Sequence, residues 1–475
     1  CGTIIPMLSN LFTSIAEIIE DLFKKGEVWL ILFILGFAGV LFFLPFNLKQ
    51  GVWVFVEYTW WIWLFLLLWG MFLGTWLFWR REIFANENIQ WITHEIRIPR
   101  ATEKGAEAME QVLASFHSQM NYPNDSREKY WDGEITRWFA LEMVSFGGEV
   151  HFYLRSYKKQ RNLTEAGFYA HYPDLELVEG EDYTSRFPKS LAEIYAEEKD
   201  MYGAEMILAK DPSIPIRTYK DFLNDPAEEK RTDPMGVFLE VLSKIKPGEL
   251  MGIQILIQPT PDDWAKKARE EITKFKEETG KRQTTIAEDG TTQTSITMRT
   301  PGETDRLKAM EANIEKPGFQ TLIRFLYISP KEYFYDSYPR RGVKGALNQY
   351  GGTAEGKNSF AFNIPTMTLT KVFYFPFIVP RLRTDFRKQR LLHNYFAREL
   401  TKDTFMGRLL TSHFFNVNFI SKTSILTTEA IASLFHPPTD IVLTTPHIPR
   451  QESRRAGPQA GLPVFGREED IEKYQ

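Results

Sequence analysis

The sequence predicts an α+β protein carried on a membrane hairpin, and three observations indicate this fold class. Two long uncharged stretches lie before residue 80, and short strand-like and helix-like hydrophobic patterns follow after residue 88. The last hundred residues contain a pattern that predicts a short helix stopped by prolines and followed by an extended strap. A chain of 475 residues exceeds one core of about 100–200 residues, and a net charge of -4 with 43% hydrophobic residues excludes a disordered chain and a basic nucleic-acid coat.

Residues 1–25 are predicted to form an amphipathic helix. Apolar residues recur at three- and four-residue steps between Ile4 and Leu22, with acidic residues between them. We expect this helix to lie on a membrane or to pack on neighbouring copies. Cys1 is the single cysteine, which excludes intramolecular disulfides and cysteine-rich metal sites. It stands where a bacterial lipoprotein is lipidated, so it is a candidate lipidation site unless the chain is otherwise processed or incomplete there.

Residues 26–82 are predicted to form a two-helix transmembrane hairpin. Val28–Leu48 and Tyr58–Trp79 carry no charge, and each is long enough to cross about 30 Å of hydrocarbon. Lysines precede the first stretch and arginines follow the second, whereas the turn contains only Lys49. The positive-inside rule therefore places both ends, and the aqueous part, in the cytoplasm of an inner (plasma) membrane protein.

The region 88–180 has the pattern strand, helix, strand, strand, helix, strand. Gly147-Gly148 separates the two middle strands, and a two-residue glycine turn is a strong hairpin signal. This order is that of a split βαβ, or ferredoxin-like, domain. Glu142 and Glu149, which flank the turn, are expected on the solvated face of the hairpin.

The region 200–380 repeats this order in diverged form, which predicts a second ferredoxin-like domain. Asp233-Pro234 begins its first helix, because aspartate caps helices and proline suits the first helical position. Residues 262–316 are predicted to be an inserted, charged helical arm. Its helix presents either a solvated face or a coiled coil for a partner. Its Thr- and Gln-rich stretch 282–300 is expected to be flexible.

No motif in the sequence identifies a catalytic centre. Gly351, Gly356 and Lys357 fit the first part of a phosphate-binding loop, but Asn358 stands where a magnesium-binding Ser or Thr is needed. A surface loop is the favoured interpretation. The eight histidines are scattered without metal-ligand spacing. The sequence therefore predicts no catalytic residue, no metal site and no cofactor.

The region 381–475 begins with a basic helix. Its cations could contact phosphates of DNA or lipid headgroups, the alternative being a solvated helix that pairs with acidic neighbours. The five candidates are Arg381, Arg383, Arg387, Lys388 and Arg390.

The segment 425–438 is predicted to be a short helix stopped by Pro437 and Pro438, and the extended strap after it reaches Val464. This segment resembles the region just before the motor domain in membrane-anchored ATPases of the conjugative coupling and HerA/FtsK-like group. In those proteins a membrane hairpin and mixed α/β domains also precede the motor. The resemblance covers about residues 27–464. It implies docking of a motor, for which the candidate residues are His436, Arg454, Arg455 and Pro463.

The predicted function is a non-catalytic membrane platform of a DNA or protein translocation machine, of the type IV secretion-like or conjugation kind. It would form a homo-oligomer, dock a ring ATPase in trans and have nucleic acid as a further partner. The sequence stops where that group begins its motor, so the motor is a separate polypeptide, or the sequence is a fragment of a longer ATPase. Two alternatives stay open: a structural envelope scaffold without a nucleic-acid role, and a sensor that binds small molecules on its sheets.

Overall fold

The structure, a computed structural model, confirms the predicted α+β class. It describes residues 46–99, 104–123, 125–223, 233–279, 282–286, 292–296, 299–352, 356–369, 380–401 and 419–439. The predicted amphipathic helix, Cys1, nearly all of the first predicted span and the tail after residue 439 lie outside these residues.

The described chain begins with a long helix, α1, which runs from Phe46 to Ile83 and passes into a π-helical turn at Phe84–Asn88. Within Trp53–Asn88, an apolar stretch of 18 residues has a mean hydropathy of 1.8 and is not buried. Of the described helices, this is the one whose length and composition would allow it to cross a membrane.

The first half of the α/β part follows the predicted order of elements. It consists of β1 (Trp91–Arg97), α2 (Ala106–Ser118), β2 (Phe139–Phe146), β3 (Glu149–Tyr157), α3 (Arg161–His171) and β4 (Glu176–Glu179). The strands lie in the order β2-β3-β1-β4, and all neighbours are antiparallel. Gly147 and Gly148 connect β2 to β3 with φ of 59° and 101°, so the predicted glycine hairpin is confirmed.

The second half follows a short helix, α4 (Leu191–Ala196). It consists of β5 (Lys199–Leu208), α5 (Tyr219–Leu223), α6 (Met235–Ser243), β6 (Leu250–Pro259), α7 (Asp263–Thr279), β7 (Arg282–Ile286), β8 (Thr292–Ile296), α8 (Pro301–Ile314), β9 (Gly318–Pro330), α9 (Ser337–Asn348) and β10 (Phe360–Phe362). Its main strands lie in the order β10-β5-β9-β6, again antiparallel. β2 pairs with β6, so both halves share one sheet.

Residues 263–314, which we call the arm, stand between β6 and β9, where the first half has only Gly147-Gly148. α7 and α8 pack through Ile272, Leu307 and Met310, and Lys276 forms an ion pair with Glu311 at 2.7 Å. Between these helices β7 and β8 pair as a two-stranded ribbon. The ribbon lies in the stretch that was expected to be flexible.

The last described elements are α10 (Pro380–Ala397), β11 (Ser424–Thr427), which pairs with β9, and α11 (Thr428–Leu434). Side chains alternate along each strand, so the sheet has two faces. One carries the main core, with Leu141, Phe152 and Ile253. The other is buried by α4 and α10 and contains Leu326 and Leu391.

Two strand glycines let α10 approach the sheet. A Cβ atom on Gly252 would collide with the ring of Tyr395, and one on Gly203 would collide with Leu391 and lie 2.5 Å from the Phe325 carbonyl oxygen. Because Gly203 and Gly252 have no side chain, Leu391 and Tyr395 of α10 can pack directly against the strands.

We expect Gly203→Ala and Gly252→Ala each to destabilise the full chain by about 1–3 kcal/mol, because the added methyl group forces α10 off the sheet. The measurement is thermal or urea unfolding of the detergent-solubilised protein. Gly345→Ala, at an exposed α9 position with nothing near the added carbon, is the control. It should be neutral or stabilise by about 0.5–1 kcal/mol. Equal effects at all three positions would contradict this packing.

Candidate functional site: a buried polar row beneath helix α10

Four polar side chains form a continuous row across the centre of the sheet, and we call these residues the polar row. Glu142 on β2 pairs in register with Gln254 on β6, Gln254 with Arg324 on β9, and Arg324 with Glu205 on β5. All four are fully buried. Facing positions of neighbouring strands share one face, so the row lies on the face covered by α10.

Arg324 connects this row to α10. Its guanidinium donates to Glu205 Oε1 at 2.8 and 3.1 Å, and it also donates to the carbonyl oxygens of Asn394 at 2.8 Å and Glu399 at 3.0 Å. The last carbonyl groups of a helix have no partner within the helix and favour a cation. A buried arginine is thus neutralised by one carboxylate and by the end of α10.

Arg398, just after α10, completes the network from the other side. It is fully buried, has a left-handed backbone with φ of 49°, and donates to both carboxylate oxygens of Glu142, at 2.8 and 3.1 Å. It also bonds Asp182 at 2.8 Å. Gln254 donates to Glu142 at 3.0 Å and to the Tyr395 carbonyl oxygen at 2.9 Å.

The electrostatics of Arg398 and Asp182 agree with this geometry. Burial alone raises the pKa of Asp182, but the hydrogen bonds and charge of Arg398 outweigh it, so the pKa lies below its usual value. Burial likewise lowers the pKa of Arg398, and the attraction of Glu142 reverses that effect and raises it well above normal. Both groups are therefore held in their charged forms, and the arrangement attaches α10 to the sheet.

The polar row corrects one expectation about the hairpin. Glu142 was expected on a solvated face, but it is fully buried, because β2 lies in the middle of the joined sheet and α10 covers it. Glu149, at the turn, is 58% exposed, as expected.

The predicted basic cluster lies on α10, largely inside the fold. Arg383, Arg387 and Lys388 are buried; Arg387 donates to the Met367 carbonyl oxygen at 3.1 Å, and Lys388 pairs with Asp200. Arg390 lies 3.9 Å from Glu399 and is partly buried. Of the five, Arg381 is the exposed one. Contact with phosphate groups stays a prediction, and most of these cations pair within the protein.

The predicted docking residue His436 is buried beside Asp233. Its Nδ1 lies 2.8 Å from the Ala432 carbonyl oxygen and its Nε2 lies 3.0 Å from Asp233 Oδ1. Both partners are acceptors, so both bonds together require the imidazolium form. Asp233 also accepts from the amides of Met235 and Thr439. The other docking candidates, Arg454, Arg455 and Pro463, lie outside the described residues.

Asn358, which stands in the place of a magnesium-binding residue in the glycine-rich loop, orders the backbone around it. It is fully buried and donates to the carbonyl oxygens of Lys210 at 3.1 Å and Asp211 at 3.0 Å. Lys357 forms an ion pair with Asp221 at 2.9 Å. Among the residues with described positions, no group of three or more His, Cys, Asp or Glu side chains could hold a metal ion.

Sequence reasoning missed Gln254, Arg324, Glu205 and Asp182. A weak signal was present, since each of the first three interrupts an apolar strand segment with one polar residue: GIQILI, LIRFLY and GAEMIL. Such a residue points to the same face as its apolar neighbours two positions away, so it must be buried with a partner.

Residues 82–354 match a family described as "Domain of unknown function (DUF8128)". This is more than half of the chain. The chain belongs to this family. No curated protein matches the sequence. The DUF8128 region contains the polar row and Asp182, whereas α10 and Arg398 come from beyond its end.

Removing the positive charge of Arg398 should strongly destabilise the protein. We expect Arg398→Met to lower the free energy of unfolding by about 3–5 kcal/mol, because it leaves Glu142 buried and uncompensated. Adding Glu142→Gln to that variant should cost much less than Glu142→Gln alone. Arg381→Met, on the exposed side of the same helix, should change stability by no more than about 0.5 kcal/mol. Urea unfolding measures all four, and strictly additive effects would contradict the pairing.

The Asp233 carboxylate makes the free energy of unfolding depend on pH in the acid range. Burial raises the pKa of Asp233, but the charge and hydrogen bond of His436 outweigh it and lower the pKa from 3.8 to about 2. The carboxylate therefore contributes about 2 kcal/mol above pH 3.8, and this is lost as the pH falls towards 2. Unfolding measured at several pH values should show Asp233→Asn less stable than wild type at pH 7, with the gap closing across this acid window. A gap independent of pH would contradict the assignment.

Proposed function

We propose that this chain is a non-catalytic membrane platform at the inner membrane, with its aqueous part in the cytoplasm. It would form homo-oligomers and dock the ring ATPase of a DNA or protein translocation machine. The proposed membrane location is supported by α1, in which the tryptophan, phenylalanine and leucine side chains between Trp53 and Leu73 are exposed. A continuous apolar surface of this size is unfavourable in water and is matched by a bilayer.

The finer architecture is part of this proposal. The strand order in each half is fourth, first, third, second, counting each half's own main strands, which supports two ferredoxin-like repeats joined at their second strands. The flanking charges and the uncharged stretch 28–48 support a second membrane helix, which with α1 would form the hairpin. Lys49, which was expected in the turn, lies within α1, so the turn of this hairpin would precede Phe46.

The arm supports the homo-oligomer. A two-stranded ribbon such as β7 and β8 is marginally stable alone. Within the described part of the chain no further strand pairs with it, so its outer edges could accept another strand. A second copy of the chain, which carries the same ribbon, would supply such a strand. The proposed docking of a ring ATPase is based on the resemblance of the segment around His436 to the region that precedes the motor domain in membrane-anchored ATPases.

A second candidate is an oligomeric envelope scaffold without a nucleic-acid role. The internal pairing of α10 favours it, because Arg387, Lys388 and Arg398 contact groups within the fold. Purification of the assembly from its host separates the two: nucleoprotein or an ATPase in the complex supports the platform, and their absence supports the scaffold.

The arm provides the sharpest test of assembly. The test variant has residues 282–296 replaced by a Gly/Ser linker of equal length, which keeps α7 and α8 but removes the ribbon. Mass measurement after gentle detergent extraction should show an oligomer for the wild type and smaller species for the variant, because ribbon pairing between copies is lost.

A full-length variant with Lys276→Ala, which removes the ion pair with Glu311 between α7 and α8 but keeps the ribbon, is the control and should keep the wild-type mass. An unchanged mass for the linker variant would contradict the role of the ribbon. A wild type that is monomeric and without partners would contradict the platform, and ATP hydrolysis by the purified chain would contradict its non-catalytic character.

A further inference from the structure

Residues 125–133, which we call the aromatic loop, are attached to the last turns of α1. Trp76 Nε1 donates to the Tyr130 carbonyl oxygen at 3.3 Å, and Arg80 Nε donates to the Trp131 carbonyl oxygen at 2.6 Å. The rings of Trp76 and Trp131 lie 5.8 Å apart. A segment some fifty residues later in the chain is thus fixed against the helix.

Gly133 allows this close contact. It has φ of 71°, a left-handed conformation that favours glycine, and a Cβ atom there would lie 2.6 Å from the backbone carbonyl carbon of Arg80. The loop ends directly against the backbone of α1, so its position relative to Trp76 and Arg80 is set by backbone contact as well as by side chains.

The backbone of the loop faces the helix, while its large side chains are left exposed. Trp131 is 62% exposed and Tyr130 53%, and Trp79 on α1 is 52% exposed. The rings of Trp79, Trp76 and Trp131 follow one another at 5.5 and 5.8 Å. These aromatic groups form one exposed cluster made from two distant parts of the sequence.

Charged side chains of both signs accompany the aromatic cluster. Lys129 Nζ lies 5.3 Å from the centre of the Tyr130 ring, and the 79% exposed side chain of Arg127 lies 4.0 Å from Asp132. Trp and Tyr are enriched where a bilayer meets water, since their rings suit the apolar side and their N–H or O–H groups suit the headgroups.

We propose that the aromatic loop is a membrane-interface anchor that places Tyr130 and Trp131 in the headgroup region of the bilayer. The proposal rests on the proposed membrane role of α1. A bilayer is the occupant that the structure favours, because the cluster is continuous with Trp76 and Trp79 on the helix whose preceding turns are apolar and exposed. The loop would thereby attach the α/β part to the membrane surface at a second position.

Fluorescence quenching in proteoliposomes of phosphatidylcholine and phosphatidylglycerol tests this with the full chain. In a Cys1→Ser background, single-cysteine variants Trp131→Cys, Tyr130→Cys, Leu67→Cys and Leu163→Cys are labelled with an environment-sensitive dye. Lipids carry a nitroxide either at the headgroup or deep in the acyl chain. Leu163, 59% exposed on α3, is the matched control because it is an equally exposed apolar residue of the α/β part.

We expect the dye at positions 131 and 130 to shift its emission to the blue and to lose intensity with the headgroup nitroxide. The dye at position 67 should be quenched by the deep nitroxide, and the dye at 163 by neither. Dyes at 130 and 131 that behave like the one at 163, while position 67 is quenched, would overturn the anchor and leave the membrane role of α1 standing. An unquenched position 67 would overturn that role itself. Each labelled variant must elute like the wild type, and two loop positions guard against local misfolding of one.

Discussion

The buried pairing of Arg398 with Glu142 is the interaction on which the described fold depends. A carboxylate in the middle of a sheet is tolerated only when a cation and hydrogen bonds replace the water that it has lost. Both oxygens of Glu142 bond Arg398, and Gln254 adds a further donor. Because Arg398 follows α10 directly, the same bonds that neutralise Glu142 also determine where that helix ends and which sheet face it covers.

The polar row also explains how the two halves of the sheet are held together. β2 and β6 join the halves edge to edge, and Glu142 and Gln254 are opposite each other at that junction. Arg324 continues the row to Glu205 and bonds the carbonyl groups near the end of α10. The helix therefore bridges both halves through charged groups from each, while Gly203 and Gly252 provide the space in which its apolar side chains pack.

Sequence reasoning predicted those features that depend on neighbours along the chain. The glycine turn at 147–148 and the order of strands and helices in the first half follow from local periodicity and turn chemistry, and the structure contains both. The helix predicted to start at Asp233-Pro234 begins at Met235, whose amide donates to the Asp233 carboxylate. The burial of Glu142 could not be read in this way, since the cover comes from α10, more than two hundred residues later. The same reason places much of the predicted basic helix inside the fold, because a cluster of cations looks alike in sequence whether it faces solvent or buried acceptors.

The extent of the family match makes the position of α10 informative. The DUF8128 region, residues 82–354, holds Glu142, Glu205 and Arg324 but ends before the helix that covers them. Without a cover, this face would present Leu326 and Ile328 to water together with charges whose partners are missing. A sheet face of this composition needs an occupant, and in this chain the occupant is its own α10. The covering helix thus belongs physically to the sheet although it lies outside the matched region.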